Sequence, residues 1–231
     1  MAAADLSAFE HGFFGRLRQA AGGDWTAYVE HPFVLRLADG SLPEACFRHY
    51  LVQDYLFLIQ FARAWALAGY KTASLEELRA AGRAMAGIVD VEMGLHVRYC
   101  AGWGLDEMAM ARTPEASATL AYTRVVFERG TAGDLLDLQV ALAPCIVGYA
   151  EIARRLEARA DPRRADNPYE AWIGMYAGAD YQEVARQAID ALEESAARRG
   201  GEARFADLAA SFATASRLEA RFWQMGLDLA D

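Results

Sequence analysis

The chain has 231 residues, 54% of them hydrophobic, which is enough apolar surface for a sizeable core in one compact domain. Its 32 acidic and 23 basic residues leave a net charge of −9 with no basic block, so nucleic acid is not an expected partner. Cys46, Cys100 and Cys145 are too widely spaced for a disulfide framework or a zinc site, and the N-terminus lacks the succession of a signal peptide, which points to the cytoplasm.

Apolar residues recur at three- and four-residue steps almost throughout, and no stretch alternates as a strand does, so the chain reads as an all-α multi-helix bundle. A first helix is expected over 5–21, with Phe9, Phe13, Phe14 and Leu17 as its apolar side, ended by Gly22-Gly23. A short piece begins near Asp24, and His31-Pro32-Phe33 restarts the chain, since proline suits a first helical turn. After the turn at Asp39-Gly40, Ser41-Leu-Pro-Glu44 reads as a capping box that opens a long helix. That helix carries Phe47, Tyr50, Leu51, Asp54, Leu58, Phe61 and Trp65 as one stripe. A carboxylate in an apolar row needs hydrogen-bond donors or a raised pKa, so Asp54 belongs to a structural network or to function. The apolar run 50–69 also holds Gln53, Asp54, Gln60 and Arg63, which makes it a buried helix and not a membrane span.

The next helix is expected from Ser74 to Cys100, with Met85, Ile88, Val89, Glu92, Met93 and His96 along it. Glu92 and His96, four residues apart, suit two ligands of one metal or a simple acid–imidazole hydrogen bond. A di-iron bundle needs a second such pair, which the sequence lacks, so the plain pair and no metal are expected. Thr113-Pro114-Glu115 opens a helix to about Arg129, with Tyr122, Val125 and Val126 inward, and 130–133 break it. Asp134 starts the helix of Cys145 and Tyr149, which share a face with Ala141, Gly148 and Ile152, and Pro144 kinks that helix just before the thiol. Cys145 is there either an inert buried cysteine or a reactive group beside a pocket. Residues 161–168 read as a loop, Tyr169 to Tyr176 as a short aromatic helix, and Tyr181 to Arg199 as a longer one. The last helix turns Leu208, Phe212, Ala215, Leu218, Glu219, Phe222 and Gly226 inward, again with a single acid in an apolar row.

Taken together, His31-Pro-Phe, Gly40-Ser-Leu-Pro, Tyr50-Leu-Val-Gln-Asp-Tyr55, Glu92-Met-Gly-Leu-His96, Ala143-Pro-Cys145 with Tyr149, Trp172-Ile-Gly-Met-Tyr176 and Glu219-Ala-Arg-Phe-Trp223 resemble the TenA / thiaminase II family in order and approximate spacing. The resemblance covers nearly the whole chain and points to the branch that uses a cysteine. It implies a haem-oxygenase-like bundle forming a single domain over 1–231, assembled as a homotetramer, with no haem, metal or other cofactor. The implied activity is hydrolysis of thiamin-derived pyrimidines, chiefly conversion of 4-amino-5-aminomethyl-2-methylpyrimidine to the hydroxymethylpyrimidine in thiamin salvage. Carried over residue by residue, Cys145 is the nucleophile that adds to the ring, Glu219 the acid/base, and Asp54 the partner of the ring nitrogen and exocyclic amine. Tyr122, Tyr149 and Tyr176 stack on or orient the pyrimidine. Phe57 stands beside that set as a departure, where the family commonly has tyrosine, and bears on rate and substrate range.

The chemistry suits these residue types. Thiolate addition to the ring pushes electron density toward the methylene and eases expulsion of its leaving group. A carboxylate such as Asp54 can bind an amine and a protonated ring nitrogen at two points, and Glu219 among aromatics is in surroundings that raise a carboxyl pKa toward that of a general acid. The competing readings are a thiaminase II that cleaves thiamin to the hydroxymethylpyrimidine and thiazole, a non-catalytic pyrimidine or thiamin binder, and a bundle oxygenase holding a metal or haem through Glu92 and His96.

Overall fold

A computed structural model describes residues 5–159 and 166–231, and most of the loop expected at 161–168 lies outside those residues. Among the described residues every regular element is helical. The chain runs through α1 (Gly12–Ala21), α2 (Gly23–Val29), α3 (Pro32–Ala38), α4 (Glu44–Tyr70), α5 (Leu75–Gly87), α6 (Met93–Gly102), α7 (Glu107–Ala111), α8 (Ser117–Ala132), α9 (Leu135–Ala143), α10 (Tyr149–Ala158), α11 (Glu170–Ala177), α12 (Ala179–Arg198) and α13 (Phe205–Asp228). Two π-helical stretches, Ile88–Glu92 and Pro144–Gly148, join α5 to α6 and α9 to α10. The all-α expectation therefore holds.

Local chemistry sets most boundaries. The His31 ring caps α3 by accepting the Phe33 N–H at 3.2 Å, with Pro32 in the first turn. Ser74 caps α5, its hydroxyl taking the Glu77 N–H at 3.1 Å while the Glu77 carboxylate accepts from the Ala73 N–H. Asp134 caps α9 by accepting the N–H groups of Leu136 and Asp137. Three expectations are corrected. The Ser41 capping box does not form, because α4 starts after Pro43 and the Ser41 N–H is instead held by Asp39. The first helix splits into a short 3-10 turn, Ser7–Phe9, and α1. Finally, α8 continues through Gly130, where a methyl group would meet Leu67 and Leu138 at 2.9–3.0 Å; that glycine serves close packing and not termination.

The chain divides into two compact units, Met1–Leu42 with Gln139–Trp223 and Pro43–Leu138 with Gln224–Asp231. In the first unit, the buried Glu151 on α10 takes a bidentate pair from Arg18 at 2.8 and 2.9 Å, the Trp25 indole N–H at 3.1 Å, and Arg155, which also reaches Glu30. Arg155 is four residues on, but Arg18 and Trp25 lie more than 120 residues away, so the sequence does not show the acid's full set of partners. A carboxylate out of water is tolerable when every oxygen is met by cationic or N–H donors. Removing it strips Arg18 of its bidentate partner and leaves Arg155 only Glu30, so Glu151→Ala is expected to cost about 3–5 kcal/mol, read as a shift in the denaturant midpoint.

In the second unit, α4 is buried on all sides from Tyr50 to Leu58, where a single stripe was expected. Its Gln53 amide ties α4 to the start of α8, accepting from the Ala116 N–H and the Thr119 hydroxyl and donating to the Pro114 carbonyl. The helical run Leu135–Ala158 is long and apolar enough to cross a membrane, but 89% of its most apolar window is buried within the protein, as in a core helix.

Candidate active site

In the first unit the sequence places Pro144 inside a helix, where it supplies no N–H to the carbonyl four residues earlier. A π turn, whose bonds run one residue further, lets the following N–H serve instead, and such turns are common at functional sites. The kink expected at Pro144 takes this form: Pro144–Gly148 is π-helical, with Cys145 as its second residue. Cys145 is buried yet retains 9% of its surface. Tyr149, four residues on, packs against Tyr176 at 5.0 Å and against Trp223 at 5.4 Å, and Trp172 closes on Tyr176 at 4.6 Å. Trp223 also stacks on Phe33 at 5.0 Å.

Glu219 sits four residues before Trp223 on α13 and is 2% exposed. Cys145 and Glu219 therefore each lie about one turn from one ring of the Tyr149–Trp223 contact. An acid, a thiol and two phenols, expected as site residues, are gathered around a single aromatic cluster. That surrounding is short of water and rich in π-faces, which suits a flat heteroaromatic ligand.

The second unit holds the other expected residues. The Oδ2 atom of Asp54 accepts the Tyr50 hydroxyl at 2.9 Å and meets Nε2 of the fully buried His96 at 2.7 Å. The other ring nitrogen of His96 bonds the Glu92 backbone carbonyl at 3.0 Å. This corrects the expected Glu92–His96 side-chain pair: the histidine is Asp54's partner. A carbonyl can only accept, so Nδ1 carries a proton. With the Tyr50 hydroxyl also donating to Asp54, the arrangement suits an imidazolium beside a carboxylate. Burial pulls the imidazole pKa down, but the Asp54 hydrogen bond and charge, with the Glu92 carbonyl and charge behind them, outweigh it and hold His96 above its ordinary value. Two buried polar residues in separate apolar rows, Asp54 and His96, were the available signal for this pair.

Among the described residues, the Tyr50 and His96 hydrogen bonds to Asp54 both fall on Oδ2. Phe57, one turn along α4, packs on Tyr122 at 4.9 Å and on Phe61 at 5.6 Å. A neighbouring apolar cavity of ≈ 10 Å³, lined by Phe57, Phe61, Thr123 and Val126, is water-sized and too small for a pyrimidine. Among the described residues, no group of three or more His, Cys, Asp or Glu side chains is placed to hold a metal ion.

Residues 18–229 match the family model described as TENA/THI-4/PQQC. An uncharacterized protein of Haemophilus influenzae is 40% identical, covering 93% of this chain and 99% of its own. An aminopyrimidine aminohydrolase of Halalkalibacterium halodurans is 36% identical, covering 92% of this chain and 94% of its own. Among solved structures, a TenA family transcription regulator from Silicibacter sp. superposes with a TM-score of 0.90 at 43% identity, over 96% of this chain and 99% of that one. A Shewanella denitrificans domain with a heme oxygenase-like fold reaches 0.70 at 15% identity over 93% and 91%, which bears on fold alone. The architecture is the haem-oxygenase-like helical bundle that the resemblance implied.

Proposed function

The chain belongs to the TENA/THI-4/PQQC family, and on that premise we propose that it is a cytoplasmic hydrolase of thiamin-derived aminopyrimidines that deaminates 4-amino-5-aminomethyl-2-methylpyrimidine. The observation that carries this reading is the buried Asp54 carboxylate, bound on Oδ2 by His96 and Tyr50 and suited as an anion to accept from an amine donor. The aminopyrimidine aminohydrolase relative at 36% identity supports it, and the Cys145–Tyr149 face in its aromatic cluster supplies the remaining chemistry.

In this reading the Cys145 thiolate adds to the ring carbon beside the one bearing the aminomethyl group. The electron pair moves through the ring, the methylene–nitrogen bond breaks, and Glu219 delivers the proton with which ammonia leaves. Water then adds at the methylene, giving its proton to Glu219, and the thiolate is expelled from the ring to restore aromaticity. Tyr149 and Tyr176, whose rings lie 5.0 Å apart, offer π-faces that orient the ring, and Tyr122 and Phe57 are the other aromatic residues that the family resemblance assigns to binding it. The alternative substrate, thiamin, would lose its thiazole in the same step. Initial rates on both compounds test this: ammonia release with a large preference for the aminomethyl compound is expected, and silence on both overturns the reading. A net charge of −9 weighs against DNA binding, the role suggested by the name of the Silicibacter relative.

The protein is also proposed to act as a homotetramer, with α5 in one of the contacts. Leu75, Leu78, Met85 and Val89 form an exposed apolar row. Glu76 and Glu77 precede Arg79 and Arg83 on the same helix, a charge order that complements itself when two copies pair antiparallel. Light scattering is expected to give a tetramer for the wild type and a smaller species for Leu78→Asp with Val89→Asp. A wild-type monomer, or a variant that stays tetrameric, excludes this use of α5.

A further inference from the structure

The π turn that carries Cys145 is held from outside its own helix. The Tyr28 hydroxyl on α2 donates to the Pro144 carbonyl at 3.1 Å. The Tyr181 hydroxyl on α12 donates to the Ile146 carbonyl at 3.3 Å, and its neighbour Gln182 donates to the Ala150 carbonyl at 3.1 Å. Three carbonyls in and just beyond the turn, those of Pro144, Ile146 and Ala150, thus meet donors from two other helices of the same unit. Gly148 makes the approach of Tyr28 feasible: a methyl group there would lie 2.6 Å from the Tyr28 hydroxyl oxygen and closer still to its ring. The ring is fixed in turn, fully buried between Trp25 at 5.6 Å and Trp223 at 6.4 Å.

A π turn has poorer hydrogen-bond geometry than an α-helix and persists where something compensates it. Relaxing it to α-helix shifts the register by one residue, which turns the thiol by about 100° relative to the helix beyond it. We propose that Tyr28 and Tyr181 are positioning residues for Cys145, their hydroxyls holding the π turn that sets the direction of its thiol. Their hydroxyls bond to backbone carbonyls of the turn, so they act on the thiol through the turn. Their effect on turnover rests on the hydrolase reading above, whereas their effect on the thiol does not.

The test compares wild type, Tyr28→Phe, Tyr181→Phe and the double variant in two measurements. The first is kcat and KM on the aminomethylpyrimidine. The second is the native-state rate of alkylation by iodoacetamide at Cys145, resolved by peptide mass spectrometry, with Cys100 as an internal reference because it has no exposed surface. In the double variant, kcat is expected to fall tenfold or more with KM within twofold, and alkylation of Cys145 to slow fivefold or more while Cys100 stays as in wild type. Gly148→Ala, which displaces the Tyr28 ring, is expected to reproduce both changes. A folded double variant in which Cys145 reacts at the wild-type rate or faster, or keeps full kcat, overturns the clamp. If Tyr28→Phe does not fold, Tyr181→Phe alone carries the same criteria with at least a threefold change required. Slower alkylation in a protein whose wild type turns over no aminopyrimidine upholds the clamp and rejects the hydrolase reading.

Discussion

Cys145→Ala is expected to lower kcat for ammonia release from the aminomethylpyrimidine by about 10³-fold or more, because a nucleophile that forms a covalent intermediate has no partial substitute. The same change at Cys100 is expected to leave turnover within twofold of wild type. The contrast comes from surroundings. Cys100 has no exposed surface, and burial pushes its thiol pKa up to about 11 against a small opposing pull from Arg48, so at neutral pH it stays protonated and unreactive. Cys145 keeps a sliver of surface, lies in a π turn and is one turn from a phenol. Stability should not separate the two: each loses one sulfur from a buried site, so similar small shifts in the unfolding midpoint are expected. Steady-state kinetics on both variants decides the matter, and a Cys145→Ala enzyme with more than a tenth of wild-type kcat would falsify nucleophilic catalysis by this thiol.

The helices were legible because a 3.6-residue apolar period runs through nearly every segment, and because proline and glycine sit where helices start and stop. The candidate site was marked in the sequence by a few residues out of keeping with their surroundings. Asp54 and Glu219 announce themselves as single acids in apolar rows, and Cys145 through the proline beside it. What the sequence could not supply was partnership across long separations. His96 lies 42 residues from Asp54, and its proximity to Glu92 in sequence suggested a side-chain contact that in the fold goes to a backbone carbonyl. Glu151 finds Arg18 at a separation of 133 residues, and Tyr28 finds the Pro144 carbonyl at 116. Hydrogen-bond complementarity carries no periodicity, so no local pattern encodes it. The capping box at Ser41 failed for a related reason: the motif matched, but Pro43 fixed the first turn, and Asp39 took the donor that Ser41 offered.

The second large effect is expected at the Asp54–His96 pair. Asp54→Asn keeps the shape of the side chain but removes the charge that the imidazole faces, and under the proposed function it replaces a charge-assisted acceptor for the substrate's amine with a neutral one. Losing such a hydrogen bond is worth about 1.5–3 kcal/mol, so kcat/KM is expected to fall about 10- to 10²-fold. His96→Gln probes the same pair from the other side, and its dependence on pH distinguishes a charged pair from a neutral one. The folded-state pKa of His96 lies above its ordinary 6.5, so folding favours the protonated ring. The stability this adds is fully present below about pH 6.5 and is lost as the pH rises through the raised value. The gap in unfolding free energy between wild type and His96→Gln is therefore expected to be widest near pH 6 and to narrow toward alkaline pH, measured by urea titration at several pH values. A gap that widens as the pH rises would mean that the imidazole is buried neutral. Its Nδ1 proton would still serve the Glu92 carbonyl, but Nε2 would then have to accept a proton from Asp54, and a protonated Asp54 would no longer be the anionic acceptor that amine recognition requires.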